Sequence, residues 1–80
     1  MKVEDFNSIY FVGAGGIGMS ALVRYFLSKS LPVGGYDKTP SKLTEQLIKE
    51  GAQIHYEDNT SLIPDVFKDK QNTLVVFTPA

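Results

Sequence analysis

The segment GAGGIGMS, residues 13–20, places four glycines in six positions between a short apolar run and a longer apolar-periodic one. Glycine lacks a Cβ, so such a loop turns sharply and lets other backbone come close. The run before it, SIYFV at residues 8–12, reads as a strand buried on both faces. After it, Ile17, Met19, Leu22, Val23, Phe26 and Leu27 recur at spacings of three and four, the apolar face of a helix to about Lys29. Lys29 suits the negative helix end, and Pro32 bars continuation.

The remaining elements repeat this alternation. LPVGGYD, residues 31–37, gives a second, glycine-weakened strand. TPSKLTEQLIKEG predicts a second helix with Thr39 or Ser41 as N-cap, Gly51 closing it in a left-handed conformation, and Leu43, Leu47 and Ile48 as its buried stripe. AQIHY, residues 52–56, is a third strand. EDNTSLIPD has room for one helical turn at most because of Pro64, so this crossover is short or irregular. TLVVFT, residues 73–78, is a β-branched and aromatic fourth strand. Strands alternating with helices predict an α/β fold, a Rossmann-like parallel sheet of order 3-2-1-4 with helices on both faces. At 80 residues the chain is one small domain, residues 1–80, whose single core leaves a narrow margin of stability.

Composition narrows the function. Eight Lys and Arg balance nine Asp and Glu with no run of like charge, which predicts neither nucleic-acid nor membrane-surface binding. No stretch approaches the roughly 20 apolar residues of a membrane span, and MKVEDFNS lacks the order of a signal peptide, so a cytoplasmic location is expected. With no Cys and one His, a structural metal or disulfide is not expected.

Gly13, Gly15 and Gly18 fit G-x-G-x-x-G between a predicted strand and a predicted helix. Gly13 permits the turn, Gly15 and the extra Gly16 allow a ligand to approach, and Gly18 lets helix and strand pack. Unpaired N–H groups near Gly16, Ile17 and Gly18 would face an anion such as pyrophosphate. Asp37, 24 residues after Gly13 at a strand end, suits the hydroxyls of a ribose. The neighbouring Lys38 reads as solvated. The loop has no G-K-T or G-K-S, so it is not an ATP-hydrolysing P-loop. Ser20 has no evident base and His55 no evident partner, so no acid–base pair converges. Met19 and Phe26 read as core. These residues bind a nucleotide and do not catalyse. The same physics serves a UDP-binding domain, the NAD-binding half of a dehydrogenase or a nucleotide-sensing regulatory domain.

YFVGAGGIGMSAL, GGYDKTPSKLTEQLIKEGAQIHYEDN and LVVFTPA together resemble the N-terminal domain of the Mur ligases of bacterial peptidoglycan synthesis. The likeness spans nearly the whole chain and points to the branch that joins L-alanine to UDP-N-acetylmuramate, with a murein-tripeptide ligase as close relative. It implies a three-domain enzyme: an N-terminal UDP-binding domain, a central ATPase domain and a C-terminal domain that helps bind the amino acid. The last two would lie outside this chain. The implied reaction uses ATP and Mg2+ to phosphorylate the lactyl carboxylate, and the alanine amine then attacks the acyl phosphate. Under this resemblance the isolated domain has no cofactor of its own. Gly15, Gly16, Ile17 and Gly18, with Gly13 and Ala14 completing the loop, fall where the family holds the UDP pyrophosphate, and Asp37 where it meets the ribose. Thr78, Pro79 and Ala80 fall at the strand end lining the nucleotide crevice. Many members carry a histidine past the third strand, near the uracil. Here Glu57, Asp58 and Asn59 stand in that region, and Asn59 offers an amide donor and acceptor instead. The uncharged fourth strand, at the sheet edge unless a further strand covers it, also predicts self-association or reduced solubility of the fragment.

Overall fold

A computed structural model describes residues 6–77. The elements run β1 (Ser8–Val12), α1 (Ile17–Ser28), β2 (Val33–Tyr36), α2 (Lys42–Lys49), β3 (Gln53–His55), two 3-10 turns (Thr60–Leu62 and Asp65–Phe67) and β4 (Thr73–Phe77). The four strands form one sheet of order β3-β2-β1-β4, parallel at every pairing. This is the expected Rossmann-like α/β arrangement. β1 is central, with Phe11 opposite Gly35 on one side and Val76 on the other.

The period-two alternation of β1 sorts the molecule into two layers. Ile9 and Phe11, both 0 % exposed, join Val33, Met19, Val23, Phe26, Leu47 and Ala52 in the core under α1 and α2. Ser8 and Tyr10 face the other way, where the Ser8 hydroxyl bonds Thr73 Oγ1 at 2.8 Å and the Tyr10 ring meets Phe67 at 5.7 Å. Both α-helices therefore share one face, because right-handed crossovers from β1 to β2 to β3 step in one direction. The return to β4 reverses the step and crosses the opposite face, on which the described residues place the two 3-10 turns. Helices on both faces are thus realised there by the shortest helical elements, as Pro64 restricts.

The boundaries fall within a residue or two of those expected. α2 starts on a reciprocal capping box: Ser41 Oγ accepts from the Thr44 N–H at 3.1 Å, and Thr44 Oγ1 accepts from the Ser41 N–H at 2.9 Å. Gly51, with φ +119°, closes it. α1 instead closes through Ser30 at φ +61°, a left-handed conformation uncommon outside glycine.

Two expected stripes are revised. In α2 the fully buried positions are Thr44 and Leu47, whereas Ile48 is 40 % exposed and Leu43 half-buried. The capping box satisfies the Thr44 hydroxyl, so a polar residue takes the inward position. In α1 Leu22 is 43 % exposed, and Met19, Val23 and Phe26 carry the core contact. The Ile17 side chain lies outside those described. The glycine of β2 at position 34 has a packing cause: a Cβ there would lie 2.6 Å from Phe67 Cε2, so the second-face turn seats its ring on bare backbone. No helix among the described residues is long and apolar enough to cross a membrane.

Candidate functional site

The glycine loop begins where β1 ends. The N–H groups of Gly13 and Ala14 both donate to the Tyr36 carbonyl, at 2.7 and 3.2 Å, and tie the loop to the end of β2. Gly13 has φ +88°, which a side chain would strain, and its carbonyl accepts from the Gly16 N–H at 3.1 Å. The chain then enters α1 with Gly16 as N-cap. The N-cap Gly16 offers no side chain to cap this helix, and no acidic residue occupies its first turn. The backbone donors of Ile17, Gly18 and Met19 are first-turn groups that helix geometry leaves without an intrahelical acceptor. With the positive end of the helix behind them they make a candidate anion site. α2, with its complete capping box, shows how the same chain finishes a helix start that needs nothing further.

Asp37 stands just past β2, its N–H donating to the His55 carbonyl at 3.1 Å. Its carboxylate is shared between two backbone donors: Oδ2 accepts from the Gly15 N–H at 2.7 Å and Oδ1 from the Thr39 N–H at 3.0 Å. Each oxygen keeps acceptor capacity for a ligand hydroxyl. Asp37 therefore joins the loop to β2, and it is a structural link as well as a candidate ligand group.

The loop residues are not equivalent. The Gly16 N–H, expected to face an anion, is spent on Gly13, which moves the donor set one residue along to Ile17, Gly18 and Met19. Gly18, expected to let helix and strand pack, has no heavy atom within 4 Å of where a Cβ would stand. It lies on the exposed side of the first turn, so its open space faces outward. The close approach belongs to Gly15, where a Cβ would stand 2.7 Å from Asp37 Oδ2 and 2.8 Å from Thr44 Cγ2.

Beside the loop, on the second face, lies a cavity of about 260 Å³. Val12 and Tyr36, the residues preceding the loop and Asp37, line it together with Tyr10, His55, Asp58 and Asn59. His55, for which the sequence suggested no partner, has two. Its Nδ1 lies 2.9 Å from the Glu57 carbonyl, which can only accept, so Nδ1 carries the proton and donates. In the neutral ring its Nε2, 2.5 Å from the Tyr10 hydroxyl, then accepts. Burial, and after it the charges of Asp58 and Tyr36, push the Tyr10 hydroxyl above the usual tyrosine range, so it holds the proton it donates. The Tyr36 and His55 rings lie 5.6 Å apart, tilted 46° to each other, and add aromatic surface to the wall. Asn59 lines the cavity but spends its oxygen capping the Thr60–Leu62 turn, accepting from the Ser61 N–H at 2.9 Å. Its NH2 alone is left for a ligand.

These features gather at the C-terminal ends of β1 and β2, beside the β1–β4 boundary where the winding reverses, the place where open α/β sheets bind ligands. Thr78, Pro79 and Ala80 lie outside the described residues. Tyr10, Tyr36 and His55 are the site residues that sequence reasoning missed.

Residues 8–79 match the family model described as Mur ligase family, catalytic domain. The chain belongs to the Mur ligase family. Among similar proteins, the UDP-N-acetylmuramate–L-alanine ligase of Phocaeicola vulgatus is 69 % identical over 80 residues, all of this chain and 18 % of the relative. Proteins of the same name from Parabacteroides distasonis and Flavobacterium johnsoniae are 66 % and 55 % identical over 80 residues, which make up 17 % and 18 % of them. This Mur ligase chain thus spans less than a fifth of the length of these relatives and corresponds to their N-terminal part.

Proposed function

We propose that this Mur ligase chain is the domain that binds the UDP moiety of UDP-N-acetylmuramate, within a longer cytoplasmic ligase that joins L-alanine to that substrate in peptidoglycan synthesis. The observation that carries this reading is the uncapped start of α1, with Asp37 held beside it through Gly15. A pyrophosphate accepts from the Ile17–Met19 backbone donors, the ribose hydroxyls donate to Asp37, and the cavity walled by Tyr36 and His55 takes the uracil. Asp58 and the Asn59 NH2 face that base as acceptor and donor. The names of the relatives support the substrate, since each carries UDP-N-acetylmuramate in it.

Residues 1–80 act here as one UDP-binding unit, and the ATPase and C-terminal units belong to the rest of the enzyme. ATP and Mg2+, which the family's chemistry calls for, find no fitting donor set among the described residues. No group of three or more His, Asp and Glu is placed to hold a metal, and the loop has no phosphate-gripping lysine. The isolated chain binds without catalysing. β4 ends the sheet with Val75 and Phe77 51 % and 66 % exposed, an uncharged edge through which isolated copies associate as concentration rises.

Calorimetric titration tests the binding reading. UDP binds at least about tenfold more tightly than UMP, because the β-phosphate adds charge-assisted hydrogen bonds at the helix start. Equal affinities for the two nucleotides contradict the placement of the pyrophosphate.

A further inference from the structure

We propose that Thr44 is a positioning residue for the glycine loop, its methyl group holding Gly15 against Asp37 while its hydroxyl anchors that methyl to α2. Thr44 is 0 % exposed although it is polar, and its hydroxyl is saturated. Oγ1 donates to the Ser41 carbonyl at 3.0 Å, and accepts from the Ser41 N–H and the Tyr56 hydroxyl, each at 2.9 Å. One hydrogen and two lone pairs are thereby used. The hydroxyl fixes the rotamer, and the rotamer fixes where the methyl points.

That methyl points at the loop. A Cβ on Gly15 would stand 2.8 Å from Thr44 Cγ2 and 2.7 Å from Asp37 Oδ2, so Gly15 fills a slot with the methyl and the carboxylate as its walls. The Gly15 N–H closes the slot by donating to Asp37 Oδ2. Removing the methyl leaves a void beside the residue that donates to Asp37 Oδ2 and directly precedes the N-cap of α1. Thr44 touches no ligand in this scheme. It acts through Gly15, and its effect on affinity rests on the UDP-binding reading above.

Two near-isosteric substitutions divide the side chain. Thr44→Ser keeps the hydroxyl, the capping box and the Tyr56 bond, and deletes the methyl. Thr44→Val keeps the methyl and deletes the hydroxyl. Amide hydrogen exchange is followed by NMR in the ligand-free protein, with the core Val23 amide reporting global opening, and UDP is titrated into each variant. In Thr44→Ser the Gly15 amide exchanges on the order of tenfold faster than in the wild type while Val23 is unchanged. UDP affinity then falls roughly threefold to tenfold, the scale of one lost packed carbon. In Thr44→Val the methyl remains without the hydroxyl that orients it, so the protein is less stable overall and Gly15 loses protection relative to Val23, by less than in Thr44→Ser. Wild-type Gly15 exchange and wild-type UDP affinity in Thr44→Ser overturn the proposal and leave Thr44 a helix-capping residue only. If the wild type itself fails to bind UDP, the functional reading falls, and Gly15 exchange in Thr44→Ser still decides whether the methyl braces the loop.

Discussion

Gly15 and Asp37, 22 residues apart in the chain, are joined by a 2.7 Å hydrogen bond from backbone N–H to carboxylate. The bond links the loop after β1 to the end of β2, so the group proposed to receive the ribose also holds the loop proposed to receive the pyrophosphate. On the proposed reading, ligand affinity and loop order are coupled through one side chain.

This coupling makes Asp37→Ala a double lesion. The substitution strands the Gly15 and Thr39 backbone donors and removes the proposed ribose acceptor. Stability falls by about 1–3 kcal/mol, chiefly the cost of orphaning the partly buried Gly15 donor while water takes over the exposed Thr39 one, and UDP affinity falls by at least about tenfold. Urea unfolding together with UDP titration checks both. Wild-type stability in Asp37→Ala contradicts the structural half.

The glycines of the loop separate fold from ligand. Gly15→Ala drives a methyl into Asp37 and Thr44 and destabilises by about 1–3 kcal/mol. Gly18→Ala meets open space and lies in a helix, so its stability is unchanged or up to about 1 kcal/mol higher. If the diphosphate approaches the first turn of α1 on that side, Gly18→Ala weakens UDP binding while leaving the melting curve intact. Thermal denaturation of the two variants, each with and without saturating UDP, reads both effects.

Alkaline pH offers a third check. Tyr10 in the fold holds its proton above the usual tyrosine pKa of about 10, chiefly through burial, so between that value and its folded pKa the native state binds more protons than the unfolded one. The stability contribution is complete below the unfolded pKa and is lost as pH rises through the folded one. Tyr10→Phe has no such group and loses less stability over that interval. Urea midpoints measured upward from pH 9 for both proteins follow the difference, and parallel curves contradict it.

How far the sequence announced this structure depends on the distance over which each feature is decided. β1, β4, the start of α2 at Ser41 and the position of Asp37 follow from local runs, caps and spacing. The Tyr10–His55 bond joins residues 45 apart, and neither local pattern refers to the other. The inward turn of Thr44 was foreshadowed by the S-x-x-T spacing from Ser41, a variant of the capping box that hides a polar side chain by satisfying it. Its contact with Gly15 depends on how α2 docks. Gly18 was misread because the glycine motif assigns packing to its third glycine, whereas here the tight contact falls on Gly15. The pairing of Asp37 with Gly15 was out of reach for the same reason: an acid at a strand end shows its spacing in the sequence, but not which of its partners belong to the protein.

The most direct test of the central claim, that this site is built for the UDP diphosphate and ribose, is a two-dimensional NMR titration of the 15N-labelled chain with UDP and, separately, with NAD. The account predicts saturable shifts at the Gly15–Gly18 and Asp37 amides with UDP, and no saturable shifts with NAD. Saturable NAD binding at those amides with UDP silent would contradict it and point to a dehydrogenase-type site.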